Sequence, residues 1–270
     1  MNDQDTIRHI VHWINQYVRN MTKPAESLIV GISGGIDSSL TSTLASMTGI
    51  KTFAVSMPIH TNTNGVNLGH VHGKWLEEKF NNTTLIDIDL TSTYKIFNST
   101  ICDVNQKSDL GFANSKSRLR MVTLYQVAAA QNGIVVGTGN KVEDFGVGFF
   151  TKYGDGGVDI SPIGDCLKTE VWDMGRAFGL PQEIVDAAPT DGLWGDGRTD
   201  EDQLGMSYPE LERMMVVDFL HRANIVDSTM PGSSKLSADD RRKLKRYREI
   251  RERNMHKMLP IPVCKMPKEN

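Results

Sequence analysis

Apolar and polar positions along the chain fall into two alternating rhythms. Ile7, Ile10, Val11, Ile14 and Val18 recur at helical spacing and predict an amphipathic helix at the start. Pro24 punctuates, and residues 27–32 (SLIVGI) read as a buried strand. The polar stretch 33–38 leads from it into a helix that runs to about Met47. A second strand at 51–57 stops at Pro58, and a helix containing Val71, Trp75 and Leu76 leads to a third strand at 84–90. Helical stretches around 94–104 and 114–130 precede the apolar run 134–137. Strands that alternate with helices predict an α/β fold with a parallel sheet, helices on both faces and right-handed crossovers. In such sheets ligands bind beyond the carboxyl ends of the strands. The loop at 33–35, the loop from Met57 and the loop from Thr138 all start at such ends.

Beyond Gly137 the rhythm breaks. Residues 138–165 are crowded with glycine, and a structureless stretch of that length is uncommon unless it is functional or disordered. A second polar stretch, 190–202, contains Gly192, Gly195 and Gly197 and reads as a mobile lid. Helices are predicted around 209–222 and 238–258, joined by a Pro/Gly/Ser linker at 231–234 and followed by a loosely held tail with three prolines.

Composition narrows the classes. The chain has 270 residues, and 30 Lys+Arg against 33 Asp+Glu give a net charge of −3. One domain over 1–270 is expected, and the balanced charge argues against nucleic-acid or membrane affinity. Cys102, Cys166 and Cys264 are widely spaced, which excludes a disulfide scaffold or a cysteine zinc site and suits a reducing cytoplasm. The acidic first residues are followed by no apolar run of the signal-peptide kind, and no segment approaches the ~20 apolar residues of a membrane span, so a soluble protein is expected. The most basic run, 241–253, reads as a solvated helix face with some pairing to Glu249 and Glu252. A nucleic-acid patch would want stacking partners, and Tyr247 is the only aromatic there. Cys166, without a partner, reads as packing.

The chemistry concentrates at Ser33-Gly34-Gly35-Ile36-Asp37-Ser38. Glycines let backbone approach a ligand, and the following helix offers unpaired N–H groups to an anion. This is not a Walker A loop, because no lysine follows the glycines. Asp37 would repel a bare phosphate, so its place in an anion cradle suggests a bridging Mg²⁺. An ordinary strand-to-helix turn with Asp37 near its N-cap is the plainer reading. Glu143, on another strand-end loop, is a second plausible oxygen ligand, or simply a helix-start glutamate. Lys152 and Asp159 flank Gly154, Gly156 and Gly157, where glycine supplies flexibility and charge supplies recognition. Lys168 precedes an apolar helix, and in isolation it and Thr190 have bland surface readings. Arg118 and Arg120 are two residues apart and do not share a helix face.

SGGIDS resembles the pyrophosphate loop of the N-type ATP pyrophosphatases, and within that group the chain resembles ammonia-dependent NAD synthetase. The likeness runs from the first helix to about Lys257. Its most specific stretch is 149–159 (FFTKYGDGGVD), which resembles that family's deamido-NAD loop. The helix start at 114–121, the strand end 137–139 and the block 200–208 agree in order and spacing. The resemblance implies an adenine nucleotide alpha hydrolase-like fold with a parallel five-stranded sheet and a helical C-terminal region. It implies that Gly31, Ile32, Ser33, Gly34, Gly35, Ile36, Asp37 and Ser38 hold the ATP phosphates, with Met57 and Thr138 beside the nucleotide and Lys168 and Thr190 on the phosphates. Asp37 and Glu143 would ligate Mg²⁺. Arg118, Lys152, Asp159, His256 and Lys257 would bind deamido-NAD.

The implied reaction joins ammonia to deamido-NAD through an acyl adenylate, releasing AMP and pyrophosphate, in a cytoplasmic homodimer packed through the helices near 114–130. A chain of this length leaves no room for an amidotransferase domain of about 100–200 residues, so free ammonia, or ammonia delivered by another protein, is the expected nitrogen source. Two alternatives differ in class. Another ATP pyrophosphatase, making guanylate or modifying tRNA, would not need the 149–159 loop or would show cysteine pairs. A non-catalytic adenine-nucleotide module leaves Glu143, Lys152 and Lys168 unexplained.

Overall fold

The computed structural model of the protein describes residues 2–59, 67–223 and 236–266. In chain order the elements are α1 (Asp3–Asn20), β1 (Ser27–Gly31), α2 (Ile36–Met47), β2 (Lys51–Ser56), α3 (Leu68–Lys79), β3 (Thr83–Asp87), α4 (Thr91–Asp103), α5 (Asp109–Ala130) and β4 (Gly133–Val136). A π-helical turn, Val142–Val147, follows, then α6 (Lys168–Phe178), α7 (Gln182–Val185), α8 (Asp200–Leu204), α9 (Tyr208–Arg222) and α10 (Ala238–Met258). The linker expected at 231–234 lies outside the described residues.

The strands run parallel in the order β3-β2-β1-β4. Side-chain alternation sorts the two faces. Leu28, Val30, Ile134 and Val136 pack with the buried stripe of α1 (Ile7, Ile10, Ile14, Val18) and with α2 and α6. Ile29, Phe53, Val55 and Val135 pack on the other side against α5. The helix after the first loop is buried nearly throughout although Ser38, Ser39, Thr41, Ser42, Thr43 and Ser46 lie in it. Small hydroxyls make this tolerable by bonding the preceding turn, as in Thr43 Oγ1 to Ser39 O (2.7 Å) and Ser46 Oγ to Ser42 O (2.7 Å).

From β1 the chain builds outward through β2 and β3, then crosses back to place β4 on the other flank of β1. The loops leaving β1 and β4 therefore diverge, and a crevice opens between them at the carboxyl edge. That topology puts 31–38 and 137–143 side by side.

The five-stranded expectation is corrected: the described residues form a four-stranded sheet. Where a fifth strand would lie beyond β4, the chain makes one bridge, Val136 with Ile160. Pro162, which has no N–H to give a ladder, follows two residues later. The edge of β4 is instead closed piecemeal. Gly137 N donates to Ile160 O (2.7 Å), Asp159 N donates to Val135 O (3.0 Å), and Val135 N donates to the Asp159 carboxylate (2.7 Å).

A second layer of core joins α9, α10 and the π-helical turn through Val142, Val147, Leu211, Met214, Leu244, Tyr247 and Ile250. The basic run of α10 is engaged within the chain. Lys243 pairs with Glu210 (2.6 Å), Arg248 donates to Asp218 (2.6 Å), and Arg251 and Tyr247 donate to Gly146 O (2.6 and 3.2 Å). Asn254 adds a bond to Val147 O (2.9 Å), so α10 clamps the turn that carries Glu143. Among the described residues no helix is long and apolar enough to cross a membrane.

Asp159→Ala is expected to lower the unfolding free energy by about 1–2 kcal/mol by taking the partner from Val135 N–H. Urea denaturation of the ligand-free protein reads this directly, and an unchanged midpoint would show that the carboxylate does not support the sheet edge.

Candidate active site

At the end of β1 the chain turns through Ser33 and Gly34 into the N-terminus of α2. Ser33 N donates to Ser38 Oγ (3.1 Å), Ser38 Oγ donates to Gly35 O (3.0 Å), and Gly35 N donates to Ser33 Oγ (3.2 Å). These hydroxyls hold the loop in a tight arc. Gly34 has φ of +84°, and a Cβ there would collide with Leu68 at the start of α3, so only glycine fits both conformation and space. Asp37 sits in the first turn of α2, where the helix dipole favours a negative charge. Met57 is buried beside Gly31, and its carbonyl accepts from Arg120 Nε (3.1 Å), so Arg120 braces the end of β2.

Across the crevice Asn140 is fully buried and does three things. Its Oδ1 accepts from Val142 N and Glu143 N (both 3.1 Å), which starts the π-helical turn. Its Nδ2 donates to Asp37 Oδ1 (3.1 Å), linking the two loops. Glu143 thereby faces Asp37. Single π-turns are rare and often accompany functional sites.

Lys168 closes the group. It opens α6, whose start is pinned by Leu167 N to Glu170 (2.7 Å) and by Thr169 N and Oγ1 to Glu212 of α9 (3.0 and 2.8 Å). Its Nζ bonds Asp37 Oδ2 and Glu143 Oε1 (3.0 Å to the latter), with the lysine side chain only 3% exposed. Burial opposes the ammonium charge, but the two carboxylates outweigh it and hold Lys168 above the ordinary lysine range. Glu143 is lowered despite burial, by Lys168 and by hydrogen bonds from Tyr208 and Asn140. Burial raises Asp37, with Glu143 adding to the effect and Lys168 opposing it.

Two carboxylate oxygens thus converge on one point held by a cation. Such a donor set fits a hard oxygen-seeking ion such as Mg²⁺, with water or phosphate completing the shell. Among the described residues no group of three or more His, Cys, Asp or Glu is clustered for a metal held by protein alone.

Beside this cluster lies a cleft of about 280 Å³ lined by Gly137, Gly139, Phe150, Lys152, Lys257 and Leu259, among others. Thr138 lies between its two glycines. The 149–159 loop is held on α5 by Arg118 Nε to Lys152 O (3.2 Å), Ser117 Oγ to Asp155 (2.7 Å) and Thr151 Oγ1 to Asn114 (2.7 Å). Two lysines tie it reciprocally to the end of α10: Lys152 Nζ donates to His256 O (2.9 Å) and Lys257 Nζ to Phe150 O (2.7 Å).

Asp144 also lines the cleft, against Gly139, and is pushed up to about 8 by burial and by Glu143, Asp155 and Asp37. His256 points outward, its ring bonded to Arg253 O (3.2 Å). Asp159 bonds the β4 edge and Tyr125 (3.1 Å) and does not line the cleft. Thr190 is bonded within its own loop, to Arg198 O (3.2 Å) and from Gly192 N (3.2 Å). That loop is strutted by Lys116 Nζ to Leu193 O (2.7 Å).

The profile of the NAD synthase family matches residues 6–260. The NH(3)-dependent NAD(+) synthetase of Carboxydothermus hydrogenoformans is 36% identical over 233 residues, covering 82% of this chain and 92% of that one. The solved structure of an NMN synthetase from Francisella tularensis superposes with a TM-score of 0.80 at 30% identity, covering 98% of this chain and all of that one. An NH3-dependent NAD synthetase from Campylobacter jejuni, in complex with the nitrate ion, superposes with a TM-score of 0.75 at 22% identity over 98% and 100% of the two chains. The chain belongs to the NAD synthase family.

Within this member of the NAD synthase family, the structure gathers Asp37, Glu143 and Lys168 with the 33–38 loop, and Lys152 and Lys257 around the cleft. Sequence reasoning assigns nothing to Asn140, Asp144 or Tyr208. Asn140 had a usable signal, an N-cap residue type just ahead of a helical turn. Asp144 and Tyr208 had none, since a carboxylate beside Glu143 reads as solvated and a tyrosine at a helix start reads as core.

Lys168→Met leaves two buried carboxylates unpaired and is expected to cost about 3–5 kcal/mol of stability in EDTA. Millimolar Mg²⁺ should restore a large part of it, since the ion takes the vacated point. Denaturant melts with and without Mg²⁺ check this, and equal losses in both would show that the point does not accept the metal.

Asp144 gives a pH signature. Its folded value of about 8 against an ordinary 3.8 means the folded state keeps a proton that the unfolded chain releases. Stability therefore falls as pH rises through that interval. Asp144→Asn should flatten this fall in metal-free melts between pH 5 and 8, and a parallel decline in both proteins would contradict it.

Proposed function

We propose that the chain is a C–N ligase that amidates deamido-NAD with ammonia at the expense of ATP, releasing AMP and pyrophosphate. The observation that carries this reading is the convergence of Asp37, Glu143 and Lys168 on the 33–38 loop, beside a cleft walled by Lys152 and Lys257. The relative from Carboxydothermus hydrogenoformans supports it by its name.

ATP phosphates would lie along 31–38, on the loop N–H groups and the first turn of α2. The adenine would rest near Met57 and Thr138. Mg²⁺ held by Asp37 and Glu143 would supply charge neutralisation for the leaving pyrophosphate. Lys168, released from the carboxylates, reaches the same place with a positive charge for the phosphates, joined by Thr190 if its loop closes. The nicotinate carboxylate, oriented in the cleft by Lys152 and Lys257 with Arg118, Asp159 and His256 on the rest of the dinucleotide, attacks the α-phosphorus. The acyl adenylate then forms and pyrophosphate leaves. Ammonia adds to the activated carbonyl, AMP departs, and the added nitrogen gives up one of its three protons to solvent. Positioning and charge stabilisation do most of this work. Closure of a lid over 191–202 would shield the adenylate from water. Free ammonia as nitrogen source, one domain over 1–270, a homodimer packed through α5, and cytoplasmic residence complete the proposal. Exposed Val122 and Leu110 on α5 supply apolar surface for such packing.

A second reading has its own support. The Francisella tularensis neighbour is an NMN synthetase. The same chemistry on nicotinate mononucleotide would give NMN.

Incubation with ATP, Mg²⁺, ammonium chloride and either deamido-NAD or nicotinate mononucleotide separates them. Equimolar NAD and AMP from the dinucleotide is the expected result. NMN from the mononucleotide at much higher kcat/KM would favour the second reading, and AMP-free, amide-free mixtures would overturn both.

A further inference from the structure

Behind the carboxylates lies a group that the proposed mechanism does not use. Tyr208 is fully buried at the start of α9, with its ring edge-on to Trp172 (centroids 5.8 Å apart) and Lys168 Nζ 4.7 Å from its centroid. Its hydroxyl lies 2.6 Å from Glu143 Oε1 and 3.0 Å from Asp200 Oδ2. Asp200 is 5% exposed, and its other oxygen is buried with no hydrogen-bond partner. One phenolic proton cannot serve two carboxylates. The shorter contact takes it, so Tyr208 O–H donates to Glu143. Asp200 completes the chain only as a neutral acid that donates to the Tyr208 oxygen. Burial and Glu143 favour that form, raising Asp200 to about 7. Its backbone N–H also bonds Pro189 O (3.0 Å), which fixes Asp200 at the base of the 190–199 loop.

Burying a carboxyl with an orphan oxygen costs stability, and phenylalanine would fill the space of Tyr208 without the polar conflict. Retaining both groups makes sense if the hydroxyl has a task. Glu143 Oε1 is the oxygen that also meets Lys168 Nζ, so the Tyr208 bond holds that oxygen in line with Asp37.

We infer that Tyr208 is a positioning residue that holds the Glu143 carboxylate on the cation point it shares with Asp37, with Asp200 orienting the Tyr208 hydroxyl from behind. This rests on the proposed function, in which Glu143 is a metal ligand. The partners of a ligating carboxylate tune metal affinity, commonly by about 10–100-fold.

The test uses the full chain, with Mg²⁺ varied at saturating ATP and deamido-NAD, and Mn²⁺ binding in the presence of ATP followed by electron paramagnetic resonance. Tyr208→Phe is expected to raise the Mg²⁺ half-saturation about tenfold or more and to loosen Mn²⁺ correspondingly. At saturating Mg²⁺ its KM for deamido-NAD should stay within about twofold. Asp200→Ala should weaken the metal similarly. Asp200→Asn keeps a donor toward the Tyr208 oxygen and should recover most of the loss. Unchanged metal half-saturation in Tyr208→Phe, or a fall in kcat alone as from a smaller folded fraction, would overturn the inference. If Tyr208→Phe does not fold, the Asp200 pair decides, and equal metal affinity in Ala and Asn overturns the orienting role. Wild-type protein that neither binds Mn²⁺ with ATP nor forms NAD would instead refute the functional reading.

Discussion

Two ionised carboxylates on different loops face one another in a protein interior at high cost unless a cation lies between them. Asp37 and Glu143 do so because Lys168 Nζ stands at the point where their oxygens meet. Nearly every other feature of the crevice serves to hold those three side chains. Asn140 links the loops after β1 and β4, α10 clamps the π-helical turn under Glu143, and Glu212 of α9 fixes the start of α6 that carries Lys168. Remote helices thus converge on a single cation point. The lysine's charge favours the ionised form of both carboxylates and aligns them, working against the burial that raises Asp37.

Legibility in the sequence divided along a physical line. The alternation of strands and helices, the position of 31–38 at a strand end and the glycine-crowded character of 138–165 are local patterns, and each was readable from periodicity or turn chemistry. Glu143 and Lys168 were not readable as a pair, because their contact joins residues 25 apart through two loops and depends on how α6 docks on α9. Tyr208 and Asp200 were hidden more deeply, 65 and 57 residues from Glu143 in the chain, in a segment that periodicity assigns to core and lid.

The fifth strand fails for a reason that composition could have supplied. A parallel edge strand needs several residues with free N–H groups in β conformation, whereas Ile160 is followed by Ser161-Pro162 and a turn. The edge still needed closing, and Asp159 closes it with its carboxylate. That role is independent of any ligand. A residue expected from resemblance to bind the dinucleotide therefore carries a structural duty in this chain, and the two duties compete for the same oxygens. If both hold, binding must use the face of Asp159 left over from Val135 and Tyr125.

The same competition appears at the lysines. Lys152 donates to His256 O at the end of α10 and Lys257 to Phe150 O in the cleft wall, so both ammonium groups are engaged within the chain. Lys168 is engaged likewise between the two carboxylates. In the proposed function an anionic substrate would replace the neutral carbonyl acceptors with charged ones, adding charge–charge attraction to hydrogen bonds that the lysines' own charge already assists. On the proposed function a metal nucleotide would make a different exchange, replacing one cation with another and freeing Lys168 for the phosphates. The crevice is therefore held in shape by its own cations, and under the proposed function binding would re-pair charges that the fold has already gathered.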